Sequence, residues 1–158
     1  MKKIALVTGA SSGLGREFVR QLGACAGLDE IWAIARRADR LEALQGLSPC
    51  PVRPIPLDLT RRESIDSLKG MLAAEQPVIC VLVGAAGLGR IGPTASIPDA
   101  DNDAMIDLTC RAAVDVTAAC LPYLRRGSRV LEICSTAGFQ PMPCLNVYAA
   151  TKAFLLSY

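Results

Sequence analysis

The stretch Ile4-Ala5-Leu6-Val7-Thr8-Gly9-Ala10-Ser11-Ser12-Gly13-Leu14-Gly15 decides the fold. Its first four residues are apolar without alternation, the mark of a strand buried on both faces. Its three glycines then lead into an amphipathic run, Leu14–Ala26, that reads as a helix. Glycine lets the backbone turn tightly and approach a pyrophosphate closely, and the helix N-terminus supplies free N–H groups and a positive dipole. A glycine triplet alone marks only a turn. With a strand before it and a helix after it, it marks a phosphate-binding turn.

The same alternation repeats along the chain. Apolar runs at Ile4–Thr8, Ile31–Ala35, Val52–Leu57, Val78–Val83 and Arg129–Cys134 read as strands. Helix-like stretches lie between them at Leu14–Ala26, Asp39–Gln45, Arg61–Ala74 and Asp99–Leu124, and a fifth begins near Val147. This order predicts an α/β fold, a Rossmann-like doubly wound parallel sheet with right-handed crossovers and helices on both faces. The length predicts one domain, residues 1–158, and the glycine turn marks it as dinucleotide-binding. The longest irregular segment, Gly84–Pro98, follows the fourth strand, and such sheets bind ligands at the carboxyl ends of their strands.

Composition narrows the function classes. The chain is 51% hydrophobic and 20% charged, against a usual charged share of about 25%. A net charge of +2 and only three Tyr, three Phe and one Trp argue against a nucleic-acid partner. Cysteines at 25, 50, 80, 110, 120, 134 and 144 form no C-x-x-C pair, and histidine is absent, so no metal site is expected. Their reading as reduced thiols points to the cytoplasm. The apolar run after Met1-Lys2-Lys3 is too short for a signal peptide, and no stretch reaches membrane-spanning length.

Near the other end, Tyr148 and Lys152 stand four apart, with Ser135 thirteen residues ahead of the tyrosine. Side chains at i and i+4 share a helix face, so a phenol and an ammonium can meet at one substrate atom. A free phenol ionises near pH 10. A cation about 4 Å away, in an effective dielectric of about 20, favours the phenolate by about 4 kcal/mol before screening. That moves a phenol toward the range where acid–base catalysis is efficient at neutral pH.

The spacing Thr8-Gly9-x-x-x-Gly13-x-Gly15, followed in order by Ser135 and Tyr148-x-x-x-Lys152, resembles the short-chain dehydrogenase/reductase family in its short, non-extended branch. The resemblance covers essentially the whole chain. It implies an NAD(P)-dependent oxidoreductase that transfers a hydride between a nicotinamide cofactor and a carbonyl or secondary alcohol. It implies Tyr148 as the acid/base and Lys152 as its electrostatic partner and holder of the nicotinamide ribose. Ser135 becomes the donor to the substrate oxygen. Gly9, Ser11, Ser12, Gly13, Leu14 and Gly15 fall at the pyrophosphate turn, Asp58 and Leu59 at the adenine, and Ala85, Ala86 and Gly87 beside the cofactor.

Asp58 has a plainer alternative as a helix cap near Thr60. Ala35 stands where NAD-preferring members carry an acid, and Arg36 and Arg37 follow it. A guanidinium there can grip a 2′-phosphate bidentately, so NADP is expected, with NAD and a solvated basic turn as the alternatives. Two departures stand out. Gly84-Ala85-Ala86-Gly87 replaces the family's Asn-Asn-Ala-Gly, and Thr109 stands where the family has a catalytic asparagine. Threonine keeps a hydroxyl but lacks the amide's reach, so a weaker proton relay and slower turnover are expected.

From Val147 the last helix runs about 18 Å at 1.5 Å per residue. The family continues with further strands and a substrate lid, so the expectation is a domain incomplete at its C-terminus, with a bare fifth strand that self-associates. The family's homo-oligomer depends on the same region. A nucleotide-binding fragment with impaired or no turnover remains the second reading, favoured by Thr109 and the lost amides. A sugar-nucleotide epimerase or dehydratase is the third, disfavoured by the glycine spacing. The substrate stays open.

Overall fold

A computed structural model describes residues 1–25, 27–140 and 142–158. The chain runs β1 (Lys3–Thr8), α1 (Gly13–Gly23), β2 (Glu30–Ala35), α2 (Ala38–Glu42), β3 (Val52–Pro56), α3 (Arg62–Glu75), β4 (Val78–Gly84), α4 (Asp99–Ile106), α5 (Ala112–Cys120), β5 (Leu124–Glu132) and α6 (Asn146–Ser157). A π turn over Asp107–Arg111 joins α4 to α5. The strands pair in parallel in the order β3-β2-β1-β4-β5. The order reverses between β1 and β4, which makes the carboxyl ends of those two strands the switch point where such sheets bind ligands.

The unbroken apolar run of β1 has its reason in two cores. Ile4 to Val7 are all 0% exposed, so neither face of the strand meets water. Ile4 and Leu6 join Trp32, Ile34, Ile79 and Leu82 against Ile65, Leu68 and Leu72 of α3 and Val116 of α5. Ala5 and Val7 point the other way and join Ile31, Ala33 and Val83 against Val19 of α1 and Leu41 of α2. On α3 the buried positions fall at i, i+3 and i+7, one stripe of a helix. Each such side chain contributes about 1.5–3 kcal/mol on burial.

Four elements differ from their sequence expectation, the helix expected at Asp39–Gln45 being Ala38–Glu42. The helix expected at Leu14–Ala26 ends at Gly23, whose Cβ position would collide with Ser48, and Ala26 lies outside the described residues. The helix expected from Asp99 to Leu124 is broken by the π turn and ends at Cys120, before Pro122, which has no N–H to continue it. The strand expected at Arg129–Cys134 is Leu124–Glu132 instead. Ser128 explains its early start, because its hydroxyl donates to the Ile79 carbonyl at 2.7 Å and accepts from the Arg125 amide at 2.9 Å. Among the described residues no helix is long and apolar enough to cross a membrane.

Candidate active site

The carboxyl ends of β1, β2, β4 and β5 open onto one cleft of about 640 Å³, within the usual range for a small-molecule site. The glycine turn forms its floor, and each glycine has a separate reason. Gly9 sits at φ +64, and a Cβ there would lie 2.6 Å from the Ala85 carbonyl oxygen. A Cβ on Gly15 would lie 2.3 Å from the Gly9 carbonyl oxygen, so α1 packs directly on the turn. Gly13, at φ +54, has nothing within 4 Å of its Cβ position. Its missing side chain leaves the space above the first turn of α1 open, where three N–H groups lack helical partners. The turn is locked to the neighbouring strand by Thr8. The Thr8 hydroxyl accepts the amides of Ala85 and Ala86, both at 3.1 Å, and holds the exit of β4 beside the turn.

Arg37, at the end of β2, donates to the hydroxyls of Ser11 at 2.9 Å and Ser12 at 3.2 Å. It ties the second βα loop to the first, and Arg36 lines the cleft beside it. Asp58 faces the same end. Its Oδ1 accepts the Thr60 amide at 3.1 Å and the Thr60 hydroxyl at 2.7 Å, so it closes the turn before α3 and is not the helix cap that the plainer reading expected, since the cap position is Arg61. Burial works against its charge, but the two Thr60 bonds, Arg36 and Arg61 outweigh it and hold the carboxyl below its ordinary pKa. Leu59, Ala85, Ala86 and Gly87 continue the wall.

At the other end, α6 carries Tyr148 and Lys152 one turn apart into the cleft. The Lys152 side chain is buried, with its ammonium 5.9 Å from the Tyr148 ring centre. That ammonium donates to the Ile133 carbonyl at 2.6 Å. Burial draws the Lys152 pKa below its ordinary value, opposed by Cys134, Glu132 and Cys110. Ser135 lines the cleft at the end of β5, and its Oγ accepts the Ala137 amide at 3.2 Å. The turn it caps packs on α6, where a Cβ on Gly138 would lie 2.9 Å from the Lys152 carbonyl oxygen.

Thr109 lies on the π turn behind this end, fully buried, and its hydroxyl has no partner among the described residues. The Cβ position of Gly87 is 3.6 Å from the Lys152 ammonium and 3.9 Å from the Thr109 hydroxyl, so all three converge on one spot. The cleft thus brings together every site residue expected from sequence, with Thr109 in the wall behind. Sequence reasoning passed over Thr8, which clamps the turn, and Gly89, whose Cβ would meet the Tyr148 ring at 3.0 Å. Thr8 had a signal in its place before Gly9; Gly89 had none.

Comparison with known proteins agrees with this construction. Residues 3–158 match the short chain dehydrogenase family. An NADP-dependent 3-hydroxy acid dehydrogenase, YdfG, of Salmonella typhimurium is 34% identical over 158 residues, covering 98% of this chain and 63% of that protein. An uncharacterized oxidoreductase of Staphylococcus epidermidis is 29% identical, covering 96% of this chain and 66% of its own length. The chain therefore spans less than two thirds of the length of these relatives. Among solved structures, a short-chain dehydrogenase from Streptomyces avermitilis superposes with a TM-score of 0.85 at 33% identity, covering 99% of this chain and 58% of that one. A short-chain dehydrogenase from Sphingobium yanoikuyae in complex with NADPH gives 0.84 at 28% identity, covering 99% and 63%. With the match running through the glycine turn at one end and α6 at the other, this chain belongs to the short-chain dehydrogenase/reductase family.

Proposed function

We propose that the protein is an NADP-dependent oxidoreductase acting on a carbonyl or secondary alcohol. One observation carries the reading: a single cleft joins the glycine turn and its arginines to Tyr148, Lys152 and Ser135. The residues fit a dinucleotide. Gly13 leaves open the space a pyrophosphate needs, and Arg36 and Arg37 stand where a 2′-phosphate takes charge-assisted hydrogen bonds. The NADP named for the Salmonella relative and the NADPH bound in the Sphingobium structure support the same choice.

A nicotinamide cofactor held by the glycine turn, Arg36 and Arg37 at one end of this cleft and Lys152 at the other would supply or take up a hydride. The chain's own part is proton management and placement. Tyr148 gives its phenolic proton to the carbonyl oxygen during reduction and takes it back during oxidation. Lys152, buried one turn from Tyr148, would hold the ribose hydroxyls of the cofactor. Ser135, in the same part of the cleft, would donate to the substrate oxygen and orient it toward Tyr148. A reducing, cytoplasmic setting accords with the seven free cysteines, and association into homo-oligomers belongs to the same reading.

Fluorescence titration with NADPH and NADH, followed by turnover on a carbonyl panel, tests the proposal. NADPH is expected to bind more tightly, and Arg37→Ala to weaken NADPH roughly 10–100-fold with little effect on NADH. Tyr148→Phe is expected to keep NADPH binding and lose at least about a hundredfold in turnover. Equal loss of both cofactors in Arg37→Ala would remove the NADP assignment. NADPH binding without turnover on any substrate would favour the second reading, a nucleotide-binding module, for which the unpartnered Thr109 hydroxyl speaks.

A further inference from the structure

One carboxylate sits in the wall behind the cleft with no part in the chemistry above. Glu132 ends β5 directly opposite Gly84 of β4. A Cβ on Gly84 would lie 1.9 Å from one Glu132 carboxylate oxygen and 2.6 Å from the other, so the carboxylate fills the space that Gly84 vacates. Thr117 of α5 donates to it at 3.0 Å. It borders a cavity of about 10 Å³, whose other walls include Thr8, Leu59, Ala86 and Leu108. Leu59, Ala86 and Leu108 also line the main cleft. A half-buried carboxylate with one neutral donor gains from a cation nearby.

Lys152 is a cation at the same strand end, close to Glu132 through the backbone and without a direct ion pair to it. Its side chain is more deeply buried than that of Glu132, and its ammonium is fixed on the carbonyl of Ile133, the residue after Glu132. Cys134, Glu132 and Cys110 all favour the charged form of Lys152, and Glu132 opposes ionisation of Cys120. Glu132 is the acid of this set. Its own pKa is raised by burial, against Thr117 and Lys152, and Cys120 is pushed up to about 12 by burial and by Glu132.

We propose that Glu132 is a positioning residue of the Tyr148–Lys152 site, seated on Gly84 and held by Thr117 so that its carboxylate keeps Lys152 charged against its own burial. Gly84 and Glu132 are then a matched pair, since an asparagine at 84 and a glutamate at 132 cannot share the space. The kinetic consequence rests on the functional reading above, whereas the charge of Lys152 does not.

The chain has four lysines, at 2, 3, 69 and 152, so side-chain carbon-13 labelling with Lys152→Arg as the assignment control resolves the Lys152 titration by NMR without cofactor. In Glu132→Gln, Lys152 is expected to lose its proton at lower pH than in the parent, and Glu132→Asp to restore part of the difference. In the same Glu132→Gln protein, NADPH affinity at alkaline pH is expected to fall about threefold to tenfold, as one charge-assisted hydrogen bond weakens. An unchanged Lys152 titration in Glu132→Gln overturns the proposal. Should that variant not fold, Thr117→Val takes its place with a smaller shift in the same direction, and no shift there overturns the proposal too. Failure of the parent to bind NADPH counts against the functional reading, leaving the Lys152 titration to decide on Glu132.

Discussion

At Thr109, packing and chemistry ask for different side chains. Its hydroxyl is buried and unpartnered among the described residues, a condition that costs about 1–3 kcal/mol. Thr109→Val keeps the shape and removes the orphan, so its denaturant midpoint should rise by the equivalent of about 1 kcal/mol. A lower midpoint would show that a bound water satisfies the hydroxyl. Thr109→Asn serves function instead: with an amide beside Lys152 and Gly87, turnover is expected to rise. Equal or slower turnover from a folded Thr109→Asn protein would remove the relay explanation. Residues of this site were legible in sequence where their geometry is local. Tyr148 and Lys152 are one helical turn apart, and the glycines share one turn of chain. Glu132 was invisible because its meaning lies in Gly84, on another strand, and in Thr117, on a helix.

Among the elements, the glycine turn separates folding from binding. Gly9→Ala meets both a left-handed φ of +64 and a carbonyl oxygen 2.6 Å away that belongs to backbone and cannot swing aside. It is expected to cost at least about 2 kcal/mol and to loosen the Thr8 clamp. Gly13→Ala meets only the φ of +54, with open space around the new methyl, a strain of about 1–2 kcal/mol. Its fold should survive while NADPH binding weakens about tenfold or more, because the methyl enters the pyrophosphate's space. Chemical denaturation and fluorescence titration of the two variants read these effects separately. Undiminished NADPH binding in Gly13→Ala would place the phosphates elsewhere. Strands buried on both faces and helices with one apolar stripe were readable from periodicity. The break at Asp107–Arg111 was not, since a π turn adds one residue to a helical turn without changing its composition. The same turn puts Thr109 behind Lys152.

Across the whole molecule, the two edges of the sheet are built differently. β3, at one edge, carries Pro54 and Pro56, which offer no N–H to another strand. β5, at the other, has Arg125, Arg126 and Arg129 as its only guards, and they stop short of Val130 and Leu131. Those two residues point to opposite faces of the sheet, yet they are 42% and 37% exposed, whereas both faces of β1 are sealed. Phe154 and Leu156 on α6 add apolar surface, at 43% and 54% exposed. An uncovered strand with free backbone groups on its outer side is a template for another chain. A polypeptide of these 158 residues is therefore expected to associate as its concentration rises, with sedimentation velocity showing growing weight-average size. Val130→Lys together with Leu131→Lys should suppress that growth, because two ammonium groups at the pairing edge repel a second copy. The parent and double variant should keep the same NADPH affinity, since neither residue lines the cleft. A parent that stays monomeric over the whole concentration range would show that the arginines already close the edge.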